Sequence, residues 1–335
     1  MFSTEINTIY HGVLCGLGRI GSLLEDDSLR EKPATHAGAM NAHPRVLLWG
    51  GADTDSERCR VFEERWPGTQ TFESLKKLLK SKVPDFGVIS TWPDSHLNLI
   101  RLMVDSGVKL IVCEKPLAPS AREAQKAVKY CKNKGVTLIV NHERRFSLDY
   151  QWVREQIVSG SMGRLLSIRA TVYMGQKRTP GEVLLWDGTH MLDILRYLTG
   201  GELKALQARG DKNKSGGALQ MTLNAGGIPV SMEVGCSRDY LQFELDLSFE
   251  TGRIQVGNGV LQAWKSQSSP FYEKMRSLLP SEAPRFLLTG YFSRMMDEVV
   301  RVLDGVGDSR PLSTGYDGWM SLKAIDQALK RAKRF

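Results

Sequence analysis

The sequence predicts an α/β protein with a doubly wound parallel sheet in its first half and a mostly antiparallel α+β domain in its second. Three observations carry this expectation. Short apolar runs alternate with helix-like stretches in the first half, and strands spaced by helices form βαβ units whose parallel sheet is covered on both faces. The glycine-rich segment "GLGRIG" (16–21) follows the first apolar run directly. After residue 142 the strands alternate with period two and turn signals separate them, the pattern of antiparallel neighbours.

The elements follow in order. "HGVLCGLG" reads as a buried strand and "VLLWGGAD" as the second. "FGVISTWP", "VKLIVCE" and "VTLIVNHE" are further short apolar runs ending in polar residues. A helix over 94–105 puts Leu97, Ile100 and Val104 on one face, with Asp94 or Ser95 as its cap. Another over 120–134 opens on a capping box, Ser120 with Glu123, and stops at Gly135. In the second half "LDYQWVREQIV" and "HMLDILRYL" read as helices, and "LLSIRATVYM", "ALQMTLNA", "PVSMEVGC" and "LQFELDLSFE" as strands. "NAGGIP" and "ETGR" supply turns, and Met295, Val299 and Val302 return at helical spacing near the end.

Composition narrows the function classes. A chain of 335 residues exceeds one ordinary core, so two domains are expected. No apolar run approaches the roughly 20 residues that span a bilayer, and no secretory leader is legible. Five cysteines without a C-x-x-C pair argue against a disulfide framework or a zinc site and for a reducing, cytoplasmic setting. Cys15 and Cys113 lie in apolar runs and read as small core residues. The net charge of +8 is spread along the chain, which describes a solvated basic surface rather than a nucleic-acid site.

"GLGRIG" fits a dinucleotide fingerprint. Gly16 permits a tight turn, Gly18 admits the backbone to a pyrophosphate, and Gly21 lets helix and strand approach closely. The acidic residue expected at the end of the second strand is Asp53, further downstream than the roughly 20 residues usual for this fingerprint. The segment "EDDSLREKPATHAGAMNAHP" accounts for the excess. A carboxylate there accepts bonds from ribose hydroxyls and repels a 2′-phosphate, which favours NAD over NADP; Arg58 nearby weakens that preference. Asp53 capping a turn is the plain alternative.

"VCEKPLAPS" ends an apolar run in Glu114, Lys115 and Pro116. Ligands of open parallel sheets sit at the carboxyl ends of the strands, and a lysine there can bond a substrate oxygen and stabilise developing charge. A surface ion pair is the alternative. His190, in "LLWDGTHMLDILRYL", reads either as the third residue of a helix capped by Asp187, with Asp193 and Arg196 pairing on its surface, or as a general base. At the positive end of a helix dipole the neutral imidazole is favoured.

"GLGRIG", "STWPDSH", "CEKPLAPS", "NHERRF" and "DGTHMLDILRYLTG" occur in this order over nearly the whole chain. Together they resemble the glucose–fructose oxidoreductase, inositol dehydrogenase and rhizopine catabolism family (Gfo/Idh/MocA). The resemblance implies a Rossmann domain over 1–141. It implies a substrate and oligomerisation domain with a large open-faced sheet over 142–335. It also implies NAD or NADP, a sugar or polyol substrate, and a homo-oligomer, dimer or tetramer, formed through the second sheet. No nucleic-acid, membrane or metal partner is expected.

Carried over, Gly16, Gly18, Arg19 and Ile20 hold the pyrophosphate and Asp53 the adenosine ribose. Thr91, Trp92 and His96 line the nicotinamide side, Glu114 and Lys115 the nicotinamide ribose and substrate. Lys115 and His190 are catalytic, assisted by Asp187, and Arg145 reaches the substrate or cofactor edge. Apart from the resemblance, Lys177, Arg178 and Trp186 suit an anionic or nucleotide-linked sugar, with "YMGQKRTPGE" as a solvated loop the alternative. Many relatives place the assisting aspartate four residues before the histidine, where this chain has Trp186. Two other functions stay open at this point: a redox-neutral enzyme with tightly held NAD, of glycosidase or epimerase type, and a non-catalytic NAD(P) sensor. Lys115 and His190 weigh against the sensor.

Overall fold

The computed structural model describes residues 8–175, 178–307 and 310–333; Lys177 lies outside them. The chain forms two compact units, one running to Phe146 and including Gly290–Trp319, the other comprising Ser147–Thr289 and the chain from Met320.

The first unit is a six-stranded parallel sheet. Its strands are β1 (Tyr10–Cys15), β2 (Val46–Ala52), β3 (Gln70–Phe72), β4 (Phe86–Ile89), β5 (Leu110–Cys113) and β6 (Thr137–Val140), in the order β3-β2-β1-β4-β5-β6. This is a doubly wound sheet, and its order reverses between β1 and β4. Every residue of β4 and β5 is buried, which is why these segments read as unbroken apolar runs. The crossovers contain α1 (His36–Ala42), α2 (Ser56–Arg65), α3 (Leu75–Ser81), α4 (Pro93–Asp105) and α5 (Ala121–Asn133). Cys15 and Cys113 are buried as expected, and burial pushes the Cys15 thiol up to about 12 and that of Cys113 well above its ordinary value.

Three boundaries differ from the sequence reading. No regular helix follows the glycine loop at once: turns and a 3₁₀ segment, Leu23–Asp26, intervene, and α1 begins only at His36. The inserted residues fold back on Glu25, which accepts the Ala34 N–H (3.1 Å) and the Thr35 hydroxyl (2.7 Å). The N–H groups of His36 and Ala37 then donate to the carbonyls of Ile20 (3.2 Å) and Gly21 (3.0 Å). Second, α4 starts at Pro93 rather than at 94, with Trp92 in the capping position, because a proline at the first helical position has its φ preset and no N–H to lose. α5 opens as expected, the Ser120 side chain accepting from the Glu123 N–H.

The third difference is the helix Tyr291–Leu303, which the expected division assigned to the second domain. Met295, Met296, Val299 and Val300 join the first unit's core with Leu14, Leu17, Val88 and Val112. Nearness in sequence misled here, since the apolar stripe of that helix is buried by a sheet laid down far earlier in the chain. Asp304, just beyond it, accepts from Arg45 (2.6 and 2.7 Å) and the Tyr10 hydroxyl (2.8 Å).

The Arg45 hydrogen bonds hold the Asp304 carboxyl below its ordinary value. A depressed carboxyl stabilises the fold above the ordinary aspartate range, near pH 4, and that contribution is lost as pH falls through the lower folded value. Asp304→Asn is therefore expected to lower the unfolding temperature at pH 7 by about 2–4 °C and to flatten the acid limb of a stability–pH profile measured by circular dichroism. An unchanged acid limb would place the pH dependence elsewhere.

The second unit carries a nine-stranded sheet of β7 (Leu165–Tyr173), β8 (Leu203–Arg209), β9 (Ala218–Ala225), β10 (Ile228–Gly235), β11 (Gln242–Phe249), β12 (Gly252–Gly257), β13 (Val260–Ser268), β14 (Arg276–Ser281) and β15 (Ala332–Lys333). The order is β14-β13-β12-β11-β7-β10-β9-β8-β15. Pairing is antiparallel except β7 with β10 and β8 with β15. In β9, buried Leu219, Met221 and Leu223 alternate with exposed or partly exposed residues, so one face is covered and the other open. The helices are α6 (Leu148–Ser159), α7 (Pro180–Trp186), α8 (Gly188–Thr199) and, from Met320 on, the helix Gly315–Arg331. α7 opens on a complete capping box, Thr179 with Glu182.

Candidate active site

The glycine loop leaves β1 at the point where the strand order reverses. Gly16 has φ +96° and packs on Ser90, whose backbone a Cβ would meet at 2.8 Å, and a Cβ on Gly21 would lie 2.2 Å from the Gly16 carbonyl oxygen. Neither position tolerates a side chain without backbone movement. Ser90, after β4, donates its hydroxyl to the Gly16 carbonyl (2.7 Å) and ties the two loops flanking the crevice. The loop turns back at its far end, where the N–H groups of Ser22 and Leu23 both donate to the Gly18 carbonyl. Among the described residues no group accepts from the backbone N–H of Gly18, Arg19, Ile20 or Gly21. Successive open amides at a tight turn suit an anion such as a pyrophosphate.

Asp53, at the end of β2, is nearly buried and engaged with backbone: Oδ2 accepts from Leu17 N–H (2.8 Å) and Oδ1 from Asp55 N–H (3.0 Å). It shapes the loop as well as facing its ligand side. Arg58 lies 3.6 Å from Asp53 and 3.4 Å from Asp55, and its guanidinium is the group that a Cβ on Gly18 would meet first, at 3.5 Å. Beside it a cleft is lined by Asp53, Thr54, Ser56, Thr71 and Glu73.

At the ends of β4, β5 and β6 the ladder continues one residue past each strand, Glu114 N–H donating to Ile89 and Asn141 N–H to Cys113, both at 2.8 Å. Glu114 and Asn141 are thereby side by side. Glu114 was expected to face the cofactor ribose, but it is only 6% exposed. Its Oε1 meets His36 Nε2 (2.8 Å) and Asn141 Nδ2 (2.7 Å), and its Oε2 accepts the Lys115 N–H (3.2 Å). Burial pushes the Glu114 carboxyl up, but its bond to His36, with the Lys115 charge and Asn141, outweighs this and holds it below its ordinary value. All three of these bonds run to groups of the protein, so Glu114 is an anchor for Lys115. His36 and Asn141 complete that anchor. Sequence reading missed both, since a histidine inside an insertion and an asparagine after a strand carry no spacing signal.

Lys115 itself is partly exposed, and the Lys115–Pro116 peptide is cis. Thr91 is partly exposed and pairs with the Ser95 hydroxyl (2.7 Å), and Trp92 is open to solvent. His96, expected to line the nicotinamide side, is fully buried between the carbonyls of Thr91 (3.0 Å) and Leu117 (3.2 Å). Burial pulls its pKa down, so the neutral ring donates to only one of the two. Its work is to fix the loops after β4 and β5. Arg145, expected at the substrate, is also buried, bonding the Leu312 carbonyl (2.8 Å) and Asp317 (3.1 Å). Its guanidinium is engaged in structural contacts within the first unit.

The second unit carries the other expected residues. His190 is the third residue of α8 and is buried, its N–H donating to the Asp187 carbonyl (3.1 Å). Asp187 is the N-cap of α8 without a side-chain capping bond; its carboxylate pairs with Arg178 (2.8 Å). Trp186 ends α7, partly exposed. The surface pair expected between Asp193 and Arg196 is not a surface feature: every residue from Gly188 to Leu198 is buried, and Arg196 bonds Glu202 (2.8 Å).

A doubly wound sheet whose glycine loop presents open amides at the strand-order reversal defines a dinucleotide-binding protein. Residues 13–142 match the model of an oxidoreductase family with an NAD-binding Rossmann fold, GFO_IDH_MocA. The chain is similar to myo-inositol 2-dehydrogenase of Thermotoga maritima, 22% identical over 334 residues that cover 92% of this chain and 91% of that one. It is 31% identical to D-apiose dehydrogenase of Paraburkholderia graminis over 157 residues, 44% of this chain and 42% of that one. In fold it is similar to an oxidoreductase from Agrobacterium radiobacter solved in complex with NAD+, L-tartaric acid and magnesium. That similarity has a TM-score of 0.77 at 18% identity, covering 97% of this chain and 96% of that one. Over residues 13–142 the chain matches the NAD-binding Rossmann fold of that oxidoreductase family, and its cofactor is a nicotinamide dinucleotide.

Proposed function

We propose that the chain transfers hydride between a nicotinamide dinucleotide, NAD in preference to NADP, and a CH–OH carbon of a neutral or anionic sugar or polyol. The observation that supports this most is the shared strand-end edge of one sheet, which carries both the open amides of Gly18 to Gly21 and the anchored Lys115. The first unit, to Phe146 with Gly290–Trp319, forms the cofactor domain, and the second sheet provides substrate contacts and the surface of a homodimer or homotetramer. The enzyme works in the cytoplasm; among the described residues no helix is long and apolar enough to cross a membrane.

When bound, the nicotinamide accepts or donates the hydride; the chain's residues bind, orient and move the proton. Gly18, Arg19 and Ile20 offer backbone N–H groups to the pyrophosphate. Asp53, with Glu73 across the same cleft, accepts from the adenosine ribose hydroxyls. A 2′-phosphate would meet Asp53 and Glu73, offset in part by Arg58, and like charges at that range are repulsive. Thr91 and Trp92 border the nicotinamide side. Lys115 donates to the reacting oxygen, Trp186 contacts the substrate, and His190 takes the hydroxyl proton while Asp187 orients the imidazole.

The test is a fluorescence titration. NADH is expected to bind with nicotinamide enhancement or tryptophan quenching, and Asp53→Ala to weaken NADH by about tenfold and NADPH by less. Failure of both dinucleotides to bind at millimolar concentration would sink the reading, and a larger loss for NADPH would remove Asp53 from the ribose. Stoichiometric NAD released on denaturation would mark a retained cofactor.

A further inference from the structure

We infer that His36 is a positioning residue for hydride transfer: it donates its Nε2–H to Glu114, and through that carboxylate it fixes the backbone of Lys115. The inference rests on the oxidoreductase reading, with Lys115 at the reacting oxygen. His36 is the first residue of α1 and is fully buried. Its N–H is tied to the glycine loop through the Ile20 carbonyl (3.2 Å), and Thr35 caps the helix by accepting the Gly38 N–H (3.0 Å). The Phe292 ring stands edge-on to the imidazole, with centroids 5.1 Å apart and planes at 89°. Backbone and ring are both held before any polar contact of the side chain is counted.

The imidazole makes its polar contact at one nitrogen. Nε2 lies 2.8 Å from Glu114 Oε1, and Nδ1 is buried with no hydrogen-bond partner among the described residues. An ionised carboxylate only accepts, so the proton of this contact sits on Nε2. A second proton on Nδ1 would be a buried donor without an acceptor, which is costly. The ring therefore works as a neutral N–H donor.

The bond matters because of what the same carboxylate does at its other oxygen. Oε1 takes donors from two elements, His36 of α1 and Asn141 after β6 (2.7 Å), and Oε2 takes the Lys115 N–H (3.2 Å). With Oε1 held twice, Oε2 cannot leave the Lys115 N–H without breaking a bond at the far end. Without the His36 donor, Asn141 alone holds Oε1, the carboxylate can turn, and the Lys115 backbone loses a fixed acceptor. The lysine side chain starts from that backbone, and a misplacement of about 1 Å at a reacting group costs about a hundredfold in rate. An imidazolium paired with Glu114 is the rival reading. It depends on the charge of His36, which an uncharged donor cannot replace.

The experiment uses full-length protein with NAD and a panel of probes (myo-inositol, sorbitol, glucose, gluconate, glucose 6-phosphate), of which the best oxidised is followed. His36→Leu should lower kcat roughly ten- to a hundredfold, with KM and NADH affinity within about threefold of wild type. His36→Gln, whose amide N–H can stand in for Nε2–H, should restore kcat to within about fivefold of wild type. Nitrogen-15 spectra of the wild-type histidines, with His36 assigned by its loss in His36→Gln, should show a proton on Nε2 and none on Nδ1 near pH 7. A ring protonated at both nitrogens overturns the inference, as does a His36→Leu enzyme with wild-type kcat. So does a His36→Gln enzyme more than about tenfold slower than wild type, or loss of NADH binding in either variant, which would make His36 a support of the cofactor loop. Where circular dichroism shows His36→Leu unfolded, the His36→Gln rate and the wild-type spectrum decide by the same criteria. Wild type that binds NADH but oxidises nothing in the panel fails the CH–OH reading and takes the inference with it; an active wild type beside an unaffected His36→Leu fails the inference alone.

Discussion

Replacing Lys115 by alanine is expected to cut turnover roughly a hundred- to a thousandfold and leave NADH affinity nearly unchanged. The expectation depends on where the anchor lies. Glu114 grips the backbone N–H of Lys115, and His36 and Asn141 grip Glu114. None of these contacts uses the lysine side chain beyond its Cβ, so the truncation removes the ammonium and leaves those hydrogen bonds in place. The ammonium's proposed work is done where charge builds on the oxygen during hydride transfer. A contact stronger in the transition state than in the ground state lowers kcat when lost, while uniform binding would change KM alone. Steady-state kinetics beside an NADH titration separates the two. A variant within about threefold of wild type in kcat would return Lys115 to an ordinary strand-end cation, and parallel loss of NADH binding would mean the side chain supports the cofactor instead.

How far the sequence could be read depends on what each residue's signal reports. β4, β5 and β6 are legible because strands buried on both faces must be apolar throughout. β9, β10 and β11 are legible because one open face enforces alternation. β3 and β14 were not: three residues in one case, and in the other an edge strand whose alternating exposure never reaches full burial, carry too little pattern to stand out. The same holds for Glu114 and Lys115. Their placement at a strand end follows from the apolar run before them, but which of the two is buried as the anchor and which stays partly exposed does not. That division is made by His36, delivered by an insertion whose course is set by Glu25, Ala34 and Thr35. Arg145 and His96 show the converse error. A motif position identifies a residue that matters, and both do matter, but as buried ties between loops rather than as ligand contacts.

The proton is the second large effect. Oxidation of a CH–OH group sends hydride one way and leaves a hydroxyl proton that needs an acceptor, and near neutral pH histidine is the natural one. His190→Asn keeps a polar side chain of related shape at the third position of α8 and preserves the backbone bond from its N–H to the Asp187 carbonyl. It removes the ring that takes the proton. Oxidation is expected to slow by roughly a hundredfold or more. In wild type the rate should rise with pH as the imidazolium gives up its proton and then level off, because only the neutral ring can act as base. In His190→Asn that ionisation should be absent from the profile.

Asp187→Asn is expected to cost less. The Asp187 carboxylate is shared with Arg178 at 2.8 Å, and the amide retains an oxygen able to accept a bond. If the ionisation persists in His190→Asn and disappears in Lys115→Met, the roles are exchanged: lysine is the base and His190 positions the substrate.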